Sequence, residues 1–333
     1  MRYRPWRRPI NADNARQPGG NATVSSAQRL WSRAARIAIA AAIFGAAGYI
    51  LYRELSQLDI GVFTAAMRDT APWRIGCSLL LTALSFSATA FYDFFAARLV
   101  TPQRISARRA LFAGVTGNAI ANTLGFHAIT GSAVRYRIFA SVGVTAADVA
   151  KIISLQGASL AAGFVSVTAF SLLLSPTNHG GVGRYAGMAM LAALGGILAW
   201  LYTKKRTISI GRWTLPFPNA VSAAQQLMIG TVEMSAAIGA LYVLLPTGLA
   251  PNFFDLVLLY MGALLLGIVS GAPGGAGVFE ATLLVSFPAE TRPAVLAALV
   301  LYRLIYNILP FCLSSAALLL FERRQARYQL DRG

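Results

Sequence analysis

The chain has 333 residues, 56% hydrophobic and 12% charged, with a formal net charge of +17 at pH 7 and a mean hydropathy of +0.58. That composition excludes an ordinary soluble domain, and without a soluble basic face the charge is no sign of a nucleic-acid partner. Cys77 and Cys312 are the only cysteines and His127 and His179 the only histidines, so no disulfide framework, metal site or cofactor is expected.

In chain order, residues 1–30 are arginine-rich, dotted with proline and glycine, and read as a disordered basic cytoplasmic tail. Residues 31–325 form a transmembrane domain, and 326–333 a short cytoplasmic tail. Apolar runs near the roughly 20 residues a bilayer requires lie at 34–52, 73–97, 152–174, 185–203, 222–245 and 294–321. The first has no clear cleavage site and reads as an anchor.

Two further apolar stretches break down at polar, glycine-rich centres. Ala110–Thr130 is interrupted by Gly114, Gly117, Asn118, Asn122 and Gly125, and Leu256–Phe287 by the run Gly271-Ala272-Pro273-Gly274-Gly275-Ala276-Gly277. Irregular backbone at membrane depth survives only where protein or a water-filled cavity satisfies its polar groups. Basic residues collect at cytoplasmic span ends, and Arg98, Arg104, Arg108 and Arg109 precede the first stretch while Arg135, Arg137 and Lys151 follow it. Both of its ends are then cytoplasmic, so it dips in and returns. The second stretch dips in from outside. The expected fold is an all-α polytopic membrane protein of about six spans with two opposed re-entrant hairpins in an inverted repeat, an arrangement that lets one site face either side in turn. Both termini are expected on the cytoplasmic side of a bacterial inner membrane.

Ionisable residues within spans are costly and mark function by default. Here they are Asp93, Glu233, Glu280 and Arg303, the last with Asn307 four residues on, on the same helical face. Each also has a structural reading: Asp93 paired with Arg98, Glu280 capping a hairpin helix, Arg303 neutralising a carboxylate. Carboxylates facing a cavity suit a cation, and hairpin amides with arginine suit a phosphate. An aminoacylated phospholipid carries both groups; the residue chemistry alone equally fits a cation antiporter or an amino-acid transporter.

Three segments go further. Asn122 through Arg137, Gly271 through Glu280, and Tyr302-Arg303-Leu304-Ile305-Tyr306-Asn307-Ile308-Leu309-Pro310 resemble, in order and spacing, the signature of the lysylphosphatidylglycerol synthase/flippase family (the multiple peptide resistance factor), over roughly residues 34–321. The resemblance implies an inner-membrane flippase for lysyl- or alanyl-phosphatidylglycerol that contributes to resistance to cationic antimicrobial peptides. Under this reading the substrate-binding set is Asp93, Asn118, Asn122, Arg135, Glu233, Gly274, Gly275, Glu280, Arg303 and Asn307, with no catalytic residue. The three carboxylates would receive the cationic end, Arg135 and Arg303 the phosphate, and the glycines would admit close backbone approach. Full-length members continue into a soluble aminoacyl-transfer domain, whereas this chain ends at Gly333, so phosphatidylglycerol lysyltransferase activity is not expected. His127 receives no catalytic role.

Other enzyme classes find little support. No Gly-x-Ser-Gly stretch serves intramembrane proteolysis, and no two aspartates share a span for metal-dependent phosphatidyltransfer. The expected partners are anionic and aminoacylated phospholipids, together with a separate synthase or a second copy of the chain. The alternatives are a membrane scaffold for a separate lipid-modifying enzyme, or a truncated lysyltransferase.

Overall fold

A computed structural model describes residues 70–125, 127–178, 181–203, 207–210, 213–216 and 218–330, together with Gly61 and Arg68. The expected first span at 34–52 and the tail at 1–30 lie outside the described residues.

The described chain is almost wholly helical. Helix α1 (Pro72–Val100) opens on proline, whose missing N–H has no partner to lose in a first turn. Helices α2 (Ala107–Leu124) and α3 (His127–Ala140) follow, then α4 (Ala146–Leu174), α5 (Val182–Thr203), α6 (Ala220–Tyr242), α7 (Phe253–Ser270), α8 (Val278–Val285), α9 (Arg292–Arg303) and α10 (Leu309–Leu330). Side-chain caps set several starts: Thr145 accepts from Asp148 N for α4, Asn219 from Ser222 N for α6, and Asn252 from Phe254 N for α7. Among the described residues, five helical runs are long and apolar enough to cross a membrane: α1, α4, α5, α7 and the stretch Ala289–Arg327. The fold is that of an all-α polytopic membrane protein.

Three details depart from the expected pattern. Residues 222–245, read as a full span, form α6, a 23-residue helix that is not among those five because Gln225, Gln226 and Glu233 dilute its apolar run. The last apolar run is not one regular helix: Leu304–Ile308 is a π turn. Pro310 explains it, since a proline cannot donate to the carbonyl four residues back. Between α5 and α6 a small antiparallel hairpin, β1 (Thr207–Ile210) and β2 (Trp213–Pro216), pairs Thr207 with Pro216 and Ile210 with Trp213. Sequence reading did not anticipate it.

Helix α6 packs against both α1 and α4. A Cβ on Gly163 of α4 would stand 2.6 Å from the backbone of Gly230 of α6, so these two helices touch main chain to main chain. One apolar cluster joins α6 through α9, including Met234, Ile238, Leu256, Val257, Leu283 and Leu299. A second surrounds α2 and α3 with Ile120, Val134, Ile138 and Phe139, and draws in Phe311 and Leu318 of α10.

Helices α2 and α3 reverse at Gly125, which has φ of 75°, and pack on each other. Both open ends of this first hairpin return to one place. The Phe112 ring of α2 lies 5.5 Å from the Phe321 ring, and Arg137 of α3 donates two hydrogen bonds to the Glu322 carboxylate, at 2.5 and 2.6 Å. Helices α7 and α8 form the second hairpin, reversing over Gly271, Gly274, Gly275 and Gly277, all at positive φ, a conformation glycine adopts without penalty. Its entry lies at the opposite end of the bundle, where Asp255 accepts hydrogen bonds from Ser175 and Thr177 just beyond the end of α4. The start of α4, in contrast, packs beside hairpin one through Val149 and Ile152. The two hairpins therefore enter from opposite ends and meet inside.

Candidate functional site: the meeting point of the two hairpin tips

Gly274, with φ of 59°, lays hairpin two directly on the C-terminal turn of α2. A Cβ there would stand 3.0 Å from the Thr123 carbonyl oxygen and 3.2 Å from that of Asn122. The π turn closes the third side: Thr123 Oγ1 donates to the Asn307 carbonyl at 3.2 Å, and Asn307 Nδ2 to the Asn122 carbonyl at 3.5 Å. Asn122 Oδ1 also meets His127 Nε2 at 2.7 Å.

Glu280 stands in the first turn of α8. Its Oε2 accepts from Gly277 N at 2.8 Å, capping the helix, while Oε1 accepts from Arg303 Nε. The acid is 14% exposed and the arginine 17%, so the pair is neither sealed nor at the surface. Thr123, Arg303, Asn307 and Ile308 line a small cleft beside it. The cleft thus offers a guanidinium, an amide, a hydroxyl and, one contact behind, a carboxylate. That donor and acceptor set can hold a group bearing both charges.

The structure gathers Asn122, Gly274, Glu280, Arg303 and Asn307 at this junction. Gly275 sits in the same turn but packs on Gly267 of α7, its Cβ position 3.4 Å from the Gly267 Cα. The other four candidates lie elsewhere. Arg135 donates from Nε and Nη2 to the Asp93 carboxylate at 2.7 and 2.9 Å, with both side chains at most 3% exposed. Arg98, the expected partner of Asp93, instead covers the Phe94 ring at 5.0 Å. Arg135 is therefore an internal clamp of hairpin one and no surface charge. Asn118 is buried, and its Oδ1 accepts from Gln156 Nε2 at 3.4 Å. Glu233 is buried in α6, beside Ser85 of α1. Among the described residues, no group of three His, Cys, Asp or Glu could hold a metal ion.

Sequence reasoning passed over Thr123, Tyr260, Tyr302 and Tyr306. Tyr302 and Tyr306 were nonetheless legible as two phenols four residues apart around Arg303, in an otherwise aliphatic run. Their rings stack at 5.1 Å and 14°, and Tyr302 OH meets Tyr260 OH of α7 at 2.9 Å.

Fold and site together define a polytopic helical membrane protein with two opposed hairpins closing on one polar cleft. No family model matches the chain. It belongs to the same family as the uncharacterized protein slr0712 of Synechocystis, with which it is 30% identical over 311 residues, spanning 89% of this chain and 95% of that one. It is also similar to the inner membrane protein YbhN of Escherichia coli K12, 24% identical over 256 residues, 73% of this chain and 78% of YbhN.

Proposed function

We propose that this chain is an inner-membrane translocase for a lipid whose headgroup joins a phosphate to a cationic aminoacyl group, such as lysyl-phosphatidylglycerol. The observation that carries the reading is the Glu280–Arg303 pair, partly exposed beside a cleft where two hairpins from opposite ends of the bundle touch. A headgroup bearing both charges can replace each partner of that pair with its own opposite charge: phosphate on Arg303, ammonium on Glu280. Acyl chains stay in the bilayer beside the bundle. Raised outer-leaflet positive charge would then repel cationic peptides. Similarity to an inner membrane protein of Escherichia coli supports the location.

The test is purified chain in liposomes holding lysyl-phosphatidylglycerol, followed by access of a membrane-impermeant amine reagent. Leaflet exchange above that of protein-free liposomes is expected, and it is lost in Glu280→Gln at unchanged protein abundance. Exchange persisting in that variant would remove Glu280 from the site; equal exchange of every lipid offered would remove the headgroup assignment.

A further inference from the structure

Glu233 is 5% exposed, makes no ion pair among the described residues, and its Oε2 has no hydrogen-bond partner. A lone charge at that depth is costly, whereas Asp93 and Glu280 each pair with an arginine. Its surroundings are hydroxyls. Ser85 of α1 lies beside Glu233 and meets Tyr306 OH at 2.8 Å. The Tyr306 ring stacks on Tyr302, which holds Tyr260 through its hydroxyl. Tyr260 packs edge-on against Phe279, ring centroids 5.1 Å apart. Contacts therefore run from the buried acid to the chain neighbours of the cleft's ion pair: Tyr302 precedes Arg303, and Phe279 precedes Glu280. On α1, Thr82 and Tyr92 leave hydroxyl oxygens unpartnered on the same buried stripe as Ser85, and unpartnered buried hydroxyls are where water enters.

We propose that Glu233 is the proton-coupling carboxylate of the translocation cycle, an inference that rests on the translocase reading. In the closed arrangement the acid keeps its proton. When the hairpins part and water reaches the stripe, the O–H bond breaks, the proton leaves on water, and the carboxylate left behind takes over the headgroup's ammonium from Glu280. Proton and ammonium exclude each other at one oxygen pair, so one proton exchanges against one cationic headgroup. The titratable groups facing Glu233 are Tyr92 from α1, Tyr260 from α7, Tyr302 from α9 and Tyr306 from the π turn. Helix α4 carries its only titratable groups, Asp148 and Lys151, in its first two turns, and α5 holds Arg184, Tyr185 and Tyr202 exposed. Arg303, the nearest cation in the contact chain, is engaged by Glu280.

The experiment uses the full chain in vesicles of phosphatidylethanolamine and phosphatidylglycerol doped with lysyl-phosphatidylglycerol, with a pH step imposed across the membrane. One-to-one exchange shifts the steady-state leaflet ratio of the cationic lipid about tenfold per pH unit, and an internal pH dye reports matching proton movement. Glu233→Gln is expected to lose both responses, and Glu233→Asp to keep them. Infrared difference spectra of the purified protein give a second readout: a protonated-carboxyl band in the parent that Glu233→Gln lacks. Lipid exchange indifferent to the pH step overturns the coupling alone, as does a gradient response retained in Glu233→Gln. No lipid exchange in the parent overturns the translocase reading and the coupling with it.

Discussion

Arg135 and Asp93 make a two-pronged ion pair that ties the returning helix of hairpin one to α1, out of contact with solvent. The two glycines flanking the guanidinium permit it. A Cβ on Gly117 or on Gly131 would come within 2.8 Å of Arg135 Nη1. An ion pair this enclosed holds hairpin one in place and leaves neither charge for a ligand in this arrangement.

Removing one partner strands the other, which costs about 3–5 kcal/mol when the remaining charge is buried. Asp93→Asn and Arg135→Gln are each expected to lower the thermal midpoint of the detergent-purified protein sharply. The double variant should lose less than the sum of the two, the mark of direct coupling. Additive losses would show that the pair is not the clamp.

The contact between α4 and α6 makes a second prediction. Gly163→Ala places a methyl 2.6 Å from Gly230 main chain, so the helices must separate; overpacking of this kind costs about 1–3 kcal/mol. Gly157→Ala, with nothing within 4 Å of its Cβ position, is expected to leave stability unchanged or slightly raised. Thermal unfolding of the two variants side by side measures the difference.

Gly274→Ala combines a left-handed φ with a methyl pressed toward the Thr123 carbonyl. The expected outcome is a protein of near-normal abundance whose hairpin tips no longer rest on each other, with a large drop in lipid exchange in the liposome assay. Gly143→Ala supplies the control, since Gly143 also has positive φ, at 76°, but open space around it. Similar loss of exchange in both would assign the effect to backbone strain and not to the junction.

The orientation of hairpin one is open to chemical labelling. Ser106, just before α2, and Ser141, just after α3, are both exposed. With Cys77 and Cys312 replaced by serine, single cysteines at 106 and 141 are expected to react with an impermeant maleimide from the same side of the membrane. Labelling from opposite sides would make this segment a full crossing.

Much of the architecture was legible because glycine and proline act locally. The reversal at Gly271–Gly277 needs positive φ at several positions, and a string of glycines announces that. The pairing of Asp93 with Arg135 was not legible: α2 separates them by 42 residues of chain, whereas Arg98 stood nearby in sequence, and only packing decides between the two. The inward turn of Arg135, counted by sequence only among the basic residues that follow hairpin one, was hidden for the same reason. The candidate site was readable where motif and geometry coincide, at Gly274, Glu280, Arg303 and Asn307. It was unreadable at Thr123, whose part depends on which carbonyl the π turn presents.

That π turn carries one residue more than an α-helical turn, between α9, which bears Arg303, and α10, which ends beside hairpin one. Without that residue, α9 would be turned relative to α10 by about 100° and drawn about 1.5 Å closer to it. With α10 moored beside hairpin one at Phe321 and Glu322, the surplus residue sets Arg303 on the face where it meets Glu280.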